Sequence, residues 1–72
     1  MNSLIAKEII SKNYPHNERF LEIFFSLVYK TKNTTIHINE FKNKYQNNGK
    51  HYLFGLFLTL DANDIKLLNE FI

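Results

Sequence analysis

Three histidines, His16, His37 and His51, are what this 72-residue chain without cysteine offers of the usual zinc-ligand set. His37 and Glu40 are three residues apart, a spacing that brings an imidazole and a carboxylate together at a helix start. Such a pair could do general acid–base work, and His51 could join it in space. The plainer reading is exposed or capping histidines, and the rest of the chain favours it. There is no cysteine to act as a nucleophile. The two glycines, Gly49 and Gly55, are isolated and make no phosphate-cradling loop. No Gly-x-Ser-x-Gly elbow is present. The histidine spacing matches no zinc pattern, and no cofactor motif stands out. The sequence therefore predicts a protein that is not an enzyme and holds no catalytic, metal or cofactor residues.

Composition sets the next bounds. Hydrophobic residues make up 44% and aromatics 15%, enough for a real core in one domain spanning residues 1–72. So small a domain hides only about 60% of the surface its unfolded chain exposes. Without cysteine it has no disulfide to compensate, so a dense core or self-association is expected to hold it. The longest apolar run, residues 52–60, is far short of the roughly 20 residues a bilayer needs. The start lacks the charged and apolar regions of a signal peptide, and the missing cysteines suit a reducing compartment, so a cytoplasmic location is expected. Asparagine, lysine, isoleucine and phenylalanine are abundant. That bias follows from AT-rich coding and hints at a phage or mobile element.

The elements that position these residues read mainly as helices. Ser3 is a candidate cap for a first helix to about Asn13, with Leu4, Ile5, Ile9 and Ile10 on one face. Tyr14-Pro15 ends it. Asn17 caps the strongest helix, residues 18–32, whose stripe of Leu21, Phe24, Phe25 and Val28 is widened by Phe20, Ile23 and Leu27. The β-branched alternation of Thr35-Ile36-His37-Ile38 allows a short strand over residues 35–38. Asn39 would cap a third helix over residues 40–47, closed by Asn48-Gly49 with glycine in the left-handed position. Residues 50–60 read two ways, because Tyr52 to Leu58 is apolar on every side. A helix there must be buried all round, and the glycine at 55 suits close approach of a neighbour. A buried strand after an Asn48-Gly49 turn is the alternative. Asp61 caps a last helix with Ile65, Leu68 and Ile72 inward. The expected fold is all-α, a compact bundle of four or five short helices.

Two segments resemble known binding motifs. Residues 33–41 resemble the end of an EF-hand loop and its exit helix, with Ile36 and Glu40 at the apolar and glutamate positions. The earlier loop positions fall on Tyr29, Thr31 and Thr34, with Lys30 and Lys32 between them, which is a poor calcium cage. Residues 40–60 resemble a helix-turn-helix, yet after Lys50, His51 and Tyr52 the second helix offers almost nothing polar to a base edge.

What remains is recognition by surface. Net charge is +2 with a pI near 9.0, and the middle of the chain is the basic part. Lys30, Lys32, Lys42, Lys44 and Lys50 could contact nucleic-acid phosphates across residues 30–51, or could simply be a solvated face. The aromatics exceed what a small interior needs, and Tyr29, Tyr45 and Tyr52 are the candidates for contact with a partner protein or a second copy of the chain. The favoured expectation is a small protein–protein interaction module, an inhibitor, adaptor or regulatory subunit, able to form a homodimer. Nucleic-acid binding through the lysines is the alternative.

Overall fold

The computed structural model describes residues 2–15 and 17–72, so His16 lies outside the described residues. Five α-helices follow one another: α1 (Asn2–Asn13), α2 (Glu18–Tyr29), α3 (Thr35–Lys44), α4 (Gly49–Phe57) and α5 (Ala62–Leu68). A single 3-10 turn, Asn69–Phe71, closes the chain. No strand occurs among the described residues. The all-α bundle is therefore as expected, and residues 50–60 resolve in favour of helix.

One continuous core joins all five helices. α2 supplies Phe20, Leu21, Phe24 and Phe25, the spacing that places four rings and chains on one face. Around it lie Ala6, Ile9 and Ile10 of α1, Ile38 and Phe41 of α3, Leu53 and Phe57 of α4, and Ile65 and Leu68 of α5. Phe24 stacks between Phe20 and Phe57, with centroids 5.5 Å and 6.1 Å away.

Caps explain where helices begin. The Asn17 side chain accepts from the Phe20 amide, and Asp61 accepts from the Asp64 amide. Asn13 and Asn17 tie α1 to α2. Asn17 donates to the Asn13 side-chain oxygen at 2.7 Å, and buried Asn13 donates to the Ile9 carbonyl at 2.7 Å. Both polar ends of Asn13 are thereby satisfied, as burial demands.

Several local expectations are corrected. Ser3 lies inside α1 rather than capping it, and Leu4 is 71% exposed while Ala6 is fully buried. α2 stops at Tyr29 because Lys30 turns left-handed, with φ 55°. The strand suggested at residues 35–38 is instead the first turn of α3. A strand would put Ile36 and Ile38 on the same side; the helix turns Ile36 out, at 65% exposed, and Ile38 in beside Phe41. Asn39 accordingly sits within α3, and Thr34 holds the cap position without a side-chain cap bond. Gly49 opens α4 with no positive φ, so it is not a left-handed terminator. α4 is not buried on every side. Leu53 and Phe57 face the core, whereas Gly55 is open and Leu58, just past the helix, is 48% exposed. Ile72 is also 48% exposed rather than inward.

The two glycines exchange roles. A Cβ on Gly55 meets nothing within 4 Å. A Cβ on Gly49 would sit 2.5 Å from Cε1 and 2.9 Å from Cζ of Phe41. The close approach therefore falls at the start of α4, where α3 packs down upon it.

Candidate functional site

That approach brings α4 against the aromatic edge of α3. His37, Phe41 and Tyr45 recur at four-residue spacing, which makes one stripe along α3 and its C-cap. The end of α2 and the start of α4 flank this stripe. Tyr29 from α2 lays its ring flat on the His37 imidazole, with centroids 3.9 Å apart and planes 6° from parallel. Tyr52 from α4 lays its ring flat on Tyr45, at 4.0 Å and 4°. The Tyr29 and Tyr52 hydroxyls share a hydrogen bond of 2.9 Å and so join the two stacks. Phe25 and Phe41 lie beneath, 6.1 Å apart, each within aromatic distance of members of the array.

The three tyrosines singled out in the sequence thus meet on one surface. Tyr29 is 40% exposed, and Tyr45, Tyr52 and His37 are partly buried. Each has one face or edge held by another ring, which fixes its rotamer before any partner arrives. The Tyr52 hydroxyl is held well above the ordinary tyrosine range. Burial is the main cause, followed by the hydrogen bond to Tyr29 and then the charges of Tyr29, Tyr45 and Glu40. The phenol therefore stays neutral and available as a hydrogen-bonding group through physiological pH. Beside Tyr45 the surface continues into a groove of about 480 Å³ lined by Tyr14, Pro15, Phe41, Lys42, Tyr45 and Gln46. Its wall is braced by the Tyr14 hydroxyl, which donates to the Gln46 carbonyl at 3.0 Å.

His37 is the member that sequence reasoning placed elsewhere, with Glu40 and His51. The signal for it was the four-residue recurrence with Phe41 and Tyr45. His51 lies on a different surface, in the groove between α1 and α4. Among the described residues, no group of three or more His, Asp or Glu side chains gathers as a metal ion needs. The segment resembling an EF-hand is split between the last residue of α2 and the first turns of α3, with Glu40 exposed within α3.

The five lysines are dispersed. Lys30 faces Asp64 of α5 at 3.7 Å, and Lys42 pairs with Glu18. Those two pairs mark opposite ends of α2, about 18 Å apart by helix rise. Lys50 lies over the Tyr14 ring, 5.8 Å from its centroid. Lys32 and Lys44 are exposed. No described helix is long and apolar enough to cross a membrane. No family model, curated protein or solved structure matches the chain.

Proposed function

We propose that this chain is a non-enzymatic protein-binding module that engages its partner through the Tyr29–His37–Tyr52–Tyr45 surface. A partner protein and a second copy of the chain are both compatible occupants, and an inhibitory, adaptor or regulatory role suits so small a module. The observation that carries the reading is the convergence of three helices on four stacked, partly exposed rings. Tyrosines are enriched at interfaces because they offer a large contact area and a hydrogen-bonding tip at low entropic cost. Rings already locked by their neighbours lower that cost further. The lysine-based alternative gains less support, because Lys30 and Lys42 already face carboxylates at separate places.

The test compares wild type with a Tyr29→Ala, Tyr45→Ala double variant. Helix content of both is checked first by circular dichroism. Sedimentation across a concentration series then measures self-association, and affinity capture from the host measures partner binding. The expected result is association, homotypic or with one discrete protein, that the folded variant loses. Identical behaviour of the two chains, or a wild type that stays monomeric and enriches nothing, overturns the reading.

A further inference from the structure

The groove between α1 and α4 is chemically unlike the tyrosine surface and is not used by it. Its rim is Lys7 and Ser11 from α1, with Lys50 and His51 from the first turn of α4. Its walls are Ile10 and the Phe54 ring. The spacing explains the arrangement. Lys7, Ile10 and Ser11 stand at i, i+3 and i+4 on one helix, and Lys50 and Phe54, one turn apart, flank the groove with His51 on the helix packed against it. Each helix thus contributes a lysine and an apolar side chain to the groove.

No carboxylate lines this groove. Glu8, the one acidic residue of α1, lines the adjoining depression with Leu4 and Lys12, and Lys7 and Ser11 border both hollows. Neither Lys7 nor Lys50 makes an ion pair among the described residues, unlike Lys30 and Lys42, and Lys50 has only the Tyr14 ring beneath it. The Asn48 side chain caps none of the α4 amides, so the positive end of that helix adds to the same field. Ordinary surface lysines disperse to lower their mutual repulsion. Here two lysines, an imidazole and a hydroxyl share one concavity of about 320 Å³, at the small end of ligand sites.

We propose that the α1–α4 groove binds a small aromatic phosphate ester of nucleoside-monophosphate size. Lys7, Lys50, His51 and Ser11 hold the phosphate through charge-assisted hydrogen bonds, and the planar body lies against Phe54 and Ile10. The apolar walls are what distinguish this ligand from a bare anion. The site draws on Lys50, which lies over the Tyr14 ring at the border of the groove beside Tyr45, and leaves the four stacked rings uncovered.

The experiment is a titration of isotope-labelled protein with adenosine 5′-monophosphate, followed through backbone amide signals, with inorganic phosphate and adenosine as separate arms. Saturable shifts centred on Ser11, Lys50, His51 and Phe54 are expected. Each lone fragment should bind about tenfold more weakly than the whole. A Lys7→Gln, Lys50→Gln double variant, both positions being exposed, should keep its helix content and lose about tenfold or more in affinity. Lys32→Gln and Lys44→Gln should leave affinity unchanged. Shifts spread over all lysines, no saturable shift, phosphate or adenosine binding as tightly as the nucleotide, or undiminished affinity in the folded double variant would each overturn the proposal.

Discussion

The rings of Tyr45 and Tyr52 lie 4.0 Å apart and 4° from parallel, although one stands at the end of α3 and the other within α4. The Phe41 ring lies beneath both, 6.4 Å from Tyr45 and 6.3 Å from Tyr52. A double-mutant cycle of Tyr45→Ala and Tyr52→Ala should return a coupling of about 1 kcal/mol in chemical denaturation. Simple additivity of the two variants would mean the stacked pair contributes nothing of its own.

The Tyr52 hydroxyl predicts an alkaline limit. Its proton is held more tightly in the folded protein than in the unfolded chain, where the ordinary value is 10.0. Its contribution to stability is therefore complete below that value and declines as pH climbs from it toward the raised one. Wild type should lose unfolding free energy more steeply above pH 10 than Tyr52→Phe, which has no proton to lose there. Parallel slopes for the two proteins would contradict the assignment.

Alanine at the two glycines of α4 should act in opposite directions. At Gly49 the new methyl meets the Phe41 ring at 2.5 Å, and that ring is only 4% exposed and cannot swing away. A loss of about 1–3 kcal/mol is expected from overpacking. At Gly55 the methyl enters open space, and relief of the glycine's helix penalty should stabilise by about 1 kcal/mol. Thermal unfolding midpoints decide both signs.

That pair also shows what the sequence conveyed and what it withheld. α2 was legible because its apolar stripe and its Asn17 cap agree. Asp61 was legible for the same reason. Residues 35–38 misled because local β-branching was outweighed by burial of Ile38 and Phe41, a tertiary gain that no local window contains. The glycines misled because close approach depends on which neighbour arrives, and Phe41 reaches Gly49 from the preceding helix. At the site, the tyrosines could be named from their type alone. Their union with His37, and the Tyr29–Tyr52 bond across 23 residues, required the fold.

The amide clasp between α1 and α2 should carry measurable stability. Asn17→Ala removes the cap to Phe20 and leaves the Asn13 side-chain oxygen without its donor. A loss of about 1–2 kcal/mol is expected in urea denaturation. Asn17→Asp keeps the cap acceptor but cannot donate to Asn13, and should fall between the two. If Asn17→Asp is as damaging as alanine, the bond to Asn13 dominates over the cap.

The stacked tyrosines have an optical consequence. The chain contains four tyrosines and no tryptophan, so its phenols dominate its ultraviolet emission. Three of those four sit in one array, two linked by a hydroxyl bond and two overlapping face to face. Excitation absorbed by any one of them can pass to its neighbours before it is emitted. A partner that parts or covers the rings should therefore change the intensity and polarisation of the protein's own fluorescence. The surface proposed to bind is also the fluorophore that would report binding, without any attached dye.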